Sequence, residues 1–328
     1  MLEHGGKLRE AAQRYGRSNW LDLSTGLNPN GYPAPALSAD AWHRLPEHDP
    51  ALLEAAQHFY KAPRMLAVAG TQAAIQALPR LRPPSRVVVA SPSYAEHLHH
   101  WSQHGHQTVA VPYRGLEAAV AGAGVLVVCN PNNPTGESVP RSALLAWADR
   151  LACRGGWLVV DEAFADTDGE HSLADATQAP GLIVLRSIGK FFGLAGLRLG
   201  FAAAREDILG PLGDMLGPWA VSGPAQLVAR AALEDSIWQR GTQARLQAEG
   251  ARLRALLASH GIESHGTSLF QWWPEAHPEA FHEHMARRGI WVRLFREAAR
   301  GIRLGLPPDE AGWQRLKQAL NEWTKENQ

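Results

Sequence analysis

Residues 124–136 read GVLVVCNPNNPTG. Val125 to Cys129 are all apolar, so the run has no polar face. Such a strand is covered on both sides, the habit of a parallel sheet. Asn130 to Gly136 then break it with asparagines, prolines and a glycine, a tight polar loop. The same arrangement repeats outward in both directions. RVVVASP (86–92), TVAVPY (108–113), GWLVVDEAF (156–164), GLIVLRS (181–187) and LGFAAA (199–204) read as short buried strands. Between them lie helical patterns: TQAAIQALPRL (71–81), YAEHLHHWSQHG (94–105) and PRSALLAWADRLACRGG (140–156). Pro140 and the paired glycines punctuate the last of these. Alternating strands and helices predict an α/β fold, a mainly parallel central sheet with helices on both faces. One strand of such a sheet can run antiparallel.

The pattern changes after residue 222. PAQLVARAALEDSIWQRGTQARLQAEGARLRALLASHG (224–261) reads as one long helical stretch. SLFQWWP, a helix over about 278–288, GIWVRLF, GIRLGLP and a terminal amphipathic helix follow. We expect an arm over 1–30 that contributes to the smaller domain, a large domain over 31–222, and a small α+β domain over 223–328. The 328 residues carry 32 basic and 32 acidic side chains. A balanced charge argues against nucleic acid or an anionic membrane as the main partner. Two cysteines suggest no disulfide framework. The N-terminal segment has no apolar signal core, and no run reaches membrane-spanning length. A soluble, cytoplasmic protein is expected.

In open α/β sheets ligands bind beyond the carboxyl ends of the strands. The chemistry-bearing residues fall there. Asn133 follows the 124–129 run, Asp161 follows WLVV, and Tyr94 follows VVVASPS. Ser187 and Lys190 follow LIVLR, and Gly70-Thr71-Gln72 opens a helix. Lys190 and Arg198 sit in RSIGKFFGLAGLRLG (186–200), which otherwise looks like core. Desolvated cations are costly unless paired, so either both reach water or they face a bound anion. A desolvated lysine can also attack a carbonyl. Ser187 and Arg198 flanking it are a suitable pair for phosphate, to which amides at 70–72 could add. Asp161 is either a cap or structural ion pair, or the partner of a protonated ring nitrogen. His97, His100 and His104 share a helix face, with no carboxylate or cysteine in the pattern to complete a metal site, and no metal is expected.

NPNNPTG, DEAF, SIGK and GLRLG, in that order, resemble the fold-type-I pyridoxal-phosphate enzymes of the class I/II aminotransferase superfamily. The resemblance implies pyridoxal 5'-phosphate as cofactor and Lys190 as its Schiff-base lysine. It implies Asp161 on the pyridine nitrogen, Asn133 on the phenolic oxygen and Tyr94 stacked on the ring. Thr71, Gln72, Ser187 and Arg198 would hold the phosphate.

Within the superfamily the chain resembles two groups, the threonine-phosphate decarboxylases of cobalamin biosynthesis and the histidinol-phosphate aminotransferases. EHGGKLREAAQRYG, LDLSTGLNPNGYP and Phe164 in DEAF resemble the first. That implies decarboxylation of L-threonine O-3-phosphate. The alternative is an aminotransferase of histidinol phosphate or a similar phosphorylated amine. His4, Gly5, Gly26, Asn28 and Asn133 would lie about the substrate, with Arg293 and Arg303 on its anionic groups. A homodimer is also implied. Gly26 departs from the decarboxylase pattern, which has asparagine there. Leu45 stands where relatives carry a tyrosine that reaches the neighbouring subunit's cofactor phosphate.

Overall fold

The computed structural model describes residues 5–168 and 171–326. The order is α1 (Leu8–Tyr15), β1 (Leu21–Asp22), α2 (Asp40–His43), α3 (Pro50–Tyr60), β2 (Met65–Val68), α4 (Thr71–Ala77), β3 (Arg86–Ala90), α5 (Ala95–Gln103), β4 (Gln107–Val111), α6 (Leu116–Ala119) and β5 (Val125–Cys129). Then come α7 (Arg141–Ala152), β6 (Trp157–Asp161), β7 (Leu182–Ser187), β8 (Gly200–Ala203), α8 (Glu206–Leu216), α9 (Gly223–Glu234) and α10 (Ser236–Ala258). The chain ends β9 (His265–Thr267), β10 (Phe270–Trp273), α11 (Pro278–Arg287), β11 (Ile290–Trp291), β12 (Arg293–Phe295), β13 (Gly301–Gly305) and α12 (Glu310–Glu326). No described helix is long and apolar enough to cross a membrane.

The chain forms two compact units. The larger comprises residues 31–133 and 137–241; the smaller comprises 1–30, 134–136 and 242–328. The larger unit is built on a seven-stranded sheet in the order β2-β8-β7-β6-β5-β3-β4. The pairs among β3 to β7 are parallel, as the apolar runs predicted. β8 is the reversed strand. It runs antiparallel to β7, with Ser187 opposite Gly200, and antiparallel to β2. Both faces are dry. Val87, Val89, Val127, Val159, Ile183 and Leu185 pack on one side with Ile75, Leu78 and Trp101. Val88, Leu126, Val160 and Val184 are fully buried between them in sequence. An apolar residue at every position is what two covered faces require.

Helix ends follow local chemistry. Asp49 caps α3 by accepting from Ala51 N–H, with Pro50 in the first turn. Ser222 caps α9 in the same way, accepting from Ala225 N–H. The stretch 224–261 is two helices rather than one. Asp235 leaves helical geometry, and its carboxylate accepts from Trp238 N–H at 2.9 Å, ending α9 and opening α10. Periodicity alone does not see such a break, because aspartate is tolerated within a helix and preferred at its cap.

In the smaller unit β1 pairs in parallel with β11. A four-stranded antiparallel sheet runs β12-β13-β10-β9. The segment after β1 is threaded between two strand ends: Leu23 N–H donates to Trp291 O at 2.8 Å, and Leu23 O accepts from Gly305 N–H at 2.7 Å.

Candidate active site

The larger unit gathers the strand-end residues the sequence singled out. Asp161 closes β6 opposite Cys129 of β5. It is buried, and Oδ1 accepts from Ala163 N–H at 3.0 Å. Its other oxygen, Oδ2, lies 2.9 Å from His97 Nε2, and both side chains are buried. Burial opposes charge on His97, but hydrogen bonds to Asp161 and Cys129 outweigh it and push the imidazole up to about 10. The same contact favours the charged form of His97 at neutral pH. The ligand atoms of His97, Cys129 and Asp161 lie within 4.8 Å of one another. The helix-face pattern gave His97 no such partners. They come from two other strands.

The phosphate-ligand candidates also meet. Gly70 has φ +71, and a Cβ there would fall 2.7 Å from Nη2 of Arg198. The missing side chain is what lets this guanidinium lie against the turn before α4. Arg198 is itself left-handed, φ 53, and donates from Nη1 to Ala195 O at 3.1 Å. A Cβ on Gly200 would come within 2.9 Å of Thr71 N. Thr71, Ser187 and Arg198 are thus grouped around Gly70 and Gly200. Ser187 Oγ accepts from Gly189 N–H at 3.3 Å. Gln72 is turned aside: its Nε2 donates to Glu96 Oε2 at 2.6 Å, and its Oε1 accepts from Tyr94 O–H at 3.3 Å. Its backbone N–H belongs to the first turn of α4. Tyr94 precedes α5, its ring edge-on to His97 at 6.1 Å. Burial first, then Glu96 and Asp161, raise its phenol well above the ordinary value. Lys190 Nζ stands 5.2 Å above the ring of the buried Phe164. The loop bearing Asn133 is pinned by Asn130 Oδ1 on Val139 N–H at 2.8 Å and Asn132 Nδ2 on Pro92 O at 2.8 Å.

Behind these strand ends sits a charge cluster that the sequence reading missed. The Arg186 guanidinium donates to both Glu162 and Asp166, all three buried, and lies 4.5 Å from the Tyr60 ring centre. Ser172 O–H and Leu173 N–H complete Glu162 at 2.6 and 2.7 Å. Two carboxylates share one cation. Burial raises Asp166 from 3.8 to about 6, against the pull of Arg186 and helped by Glu162. The folded chain therefore holds this proton more tightly than the unfolded chain. The resulting stability is present below about pH 4 and is lost as pH rises through about 6. Asp166→Asn, which leaves a neutral Arg186–Glu162 pair, is expected to gain on the wild type by about 1–3 kcal/mol between pH 4 and pH 8. Denaturant midpoints at the two pH values measure this; a constant difference refutes it.

The smaller unit carries the candidate anion ligands. Arg293 and Arg303 stand directly opposite on β12 and β13. Like charges so placed repel. Phe295 lies under both guanidiniums, 5.0 and 6.0 Å from its ring centre. Arg303 is buried and donates from Nη2 to Ser24 O at 2.7 Å. Burial, then Arg293, lower its guanidinium to about 9, with Asp22 in partial opposition. A site of this kind favours an added anion. Gly26 is left-handed, φ +64, which suits glycine at that place. Asn28 is buried, its Oδ1 accepting from Asn30 N–H and Arg245 Nη2, each at 3.0 Å. Gly5 lies against Ser24. His4 lies outside the described residues.

The profile of the family aminotransferase class I and II matches residues 18–311. A threonine-phosphate decarboxylase of Pseudomonas aeruginosa is 52% identical over 98% of this chain and 97% of its own. One from Sinorhizobium sp is 41% identical over 97% of each chain. Among solved structures, histidinol-phosphate aminotransferase from Sinorhizobium meliloti in complex with pyridoxal-5'-phosphate matches with a TM-score of 0.86 at 22% identity, covering 100% of this chain and 96% of that one. The fold is that of the type I pyridoxal-phosphate enzymes, as the alternating strands and helices implied. With a profile match along most of its length, and with the strand-end lysine, aspartate and arginine placed as described, the chain belongs to the class I and II aminotransferase family, whose cofactor is pyridoxal 5'-phosphate.

Proposed function

We propose that the protein decarboxylates L-threonine O-3-phosphate to (R)-1-amino-2-propanol O-phosphate and carbon dioxide, a step of cobalamin biosynthesis. The observation that carries this reading is the 52% identity, over almost the whole chain, to a protein named for that activity.

The cofactor's chemistry fits the residues of the larger unit. Arg198 nested on Gly70 suits a phosphate, and a buried carboxylate backed by an imidazolium suits a ring nitrogen. When bound, pyridoxal phosphate supplies the electron sink for the charge that departing carbon dioxide leaves behind. Ser187, Arg198, Thr71 and the Gln72 amide would hold the phosphate. Asp161, oriented by His97, would hold a proton at the ring nitrogen. Asn133 would donate to the ring oxygen, and Tyr94 would pack on the ring. Lys190 would anchor the cofactor's carbonyl, and its Nζ would carry a proton toward the substrate's α-carbon. Arg303 receives the substrate carboxylate as a bidentate partner, and Arg293 adds to the anionic field. Gly5, Gly26 and Asn28 would lie along the substrate's path, as the resemblance implies, and it implies the same of His4, which lies outside the described residues. A homodimer completes the reading, since Trp42 and Leu45 are each 66% exposed on the larger unit, large apolar side chains that a second copy would cover.

Purified protein loaded with cofactor and given L-threonine O-3-phosphate, with no keto acid present, is expected to release carbon dioxide and aminopropanol phosphate in equal amounts. No carbon dioxide, together with turnover of histidinol phosphate and 2-oxoglutarate, would establish the aminotransferase instead.

A further inference from the structure

Ser24 of the smaller unit joins two features that are far apart in sequence. It is 1% exposed. Its hydroxyl accepts from Gly6 N–H at 2.8 Å and donates to Asp22 Oδ1 at 2.7 Å. Its own N–H donates to the same Asp22 oxygen at 2.9 Å. Its carbonyl accepts from Arg303 Nη2 at 2.7 Å. Every polar group of this one residue is therefore engaged: the side chain on the N-terminal arm, the main chain on the buried arginine.

The arm meets the same carbonyl. A Cβ on Gly5 would fall 2.6 Å from Ser24 O, the oxygen that Arg303 holds. Gly6 has φ +79, a turn that glycine makes without strain. The two glycines thus let the arm lie on Ser24 without displacing the guanidinium beneath. Leu23, held to Trp291 and Gly305 on either side, keeps the Ser24 backbone from yielding. The far end of α1 is tied separately, by Tyr15 O–H on Glu283 at 2.5 Å. Residues 5 and 6 are held by Ser24.

We propose that Ser24 is a positioning residue that couples docking of the N-terminal arm to anion binding by Arg303. Its hydroxyl latches the arm at Gly6, and its carbonyl aims the guanidinium. An anion that fixes Arg303 fixes Ser24, and with it the arm; by reciprocity the docked arm favours the anion. The inference rests on reading Arg303 as the ligand of the substrate carboxylate.

The test uses the full-length, cofactor-loaded enzyme. In the wild type, saturating L-threonine O-3-phosphate is expected to slow amide hydrogen exchange in residues 5–16. Ser24→Ala is expected to raise KM about tenfold, the loss of one or two hydrogen bonds, with kcat within about twofold. Its arm exchanges faster, and substrate no longer slows it. Ser24→Thr, which keeps the hydroxyl, restores both. Wild-type exchange indifferent to substrate overturns the coupling without any variant. So does a raised KM with unchanged arm exchange, or faster exchange with unchanged KM. If the wild type releases no carbon dioxide, the substrate reading falls by itself. Inorganic phosphate then serves as the anion probe: slower arm exchange in the wild type but not in Ser24→Ala supports the latch, and no response overturns it.

Discussion

Lys190→Ala is expected to lose carbon dioxide release from L-threonine O-3-phosphate by about 10⁴-fold or more, combining the loss of a covalent anchor with that of a proton carrier. The side chain stands over Phe164, at a turn whose neighbours Ile188 and Gly189 are buried. Phosphate binding by Ser187 and Arg198 survives, so the variant still takes up cofactor, reversibly and without the visible absorbance of the covalently held form. Unfolding midpoints stay close to wild type. Activity within tenfold of wild type, with the absorbance retained, would remove Lys190 from the centre of the site.

Asp161→Asn carries the second large effect. An amide cannot hold a proton at the ring nitrogen, and it leaves the His97 imidazolium without its carboxylate. The same hydrogen bond keeps His97 charged despite burial. Without it the imidazole is expected to become neutral near pH 7. The expected loss in kcat is about 10³-fold, the scale of one preorganised electrostatic partner in a dry site. Cofactor retention on gel filtration falls as well. Asp161→Glu recovers part of both. A full-rate Asp161→Asn variant would mean that the ring nitrogen is served from elsewhere, and the His97 pair would then be structural.

Much of this was legible in the chain. Val125–Cys129, Trp157–Asp161 and Leu182–Ser187 announce buried strands because each is apolar until its last residues, and the polar ones, Asp161, Arg186 and Ser187, stand at the carboxyl ends. The residues just beyond their carboxyl ends then mark the site. Met65–Val68 escaped notice: it is a four-residue edge strand with two half-buried positions, too short for a period to show. His97 was read against His100 and His104, the neighbours one helix face offers. Its true partner lies 64 residues later in the chain. His100 serves Glu96 at 3.0 Å, and His104 caps its own helix through His100 O at 2.8 Å. The resemblance places Gln72 at the phosphate, and its helix-start amide is the group that reading uses; its side chain braces Glu96. Arg186 stands out in no sequence pattern, since nothing local says that Glu162 and Asp166 will close on it. Pairings across the sheet are set by topology, and a spacing argument cannot reach them.

The reversed strand β8 has a geometric consequence for residues 186–200. A parallel continuation from β7 would need a crossover and would start β8 at the amino edge of the sheet. Arg198 would then lie a strand's length away from Ser187, about 13 Å for four residues. Because the chain doubles back, Ser187 and Gly200 face each other, and one short excursion leaves and returns at a single edge. Lys190 rides at the outer part of that excursion and Arg198 at its close. A hairpin-like detour, rather than two distant segments, carries Lys190 and Arg198, the two cations of the proposed site. Their separation is therefore fixed by local chain length, and shortening or lengthening 188–199 would change both at once.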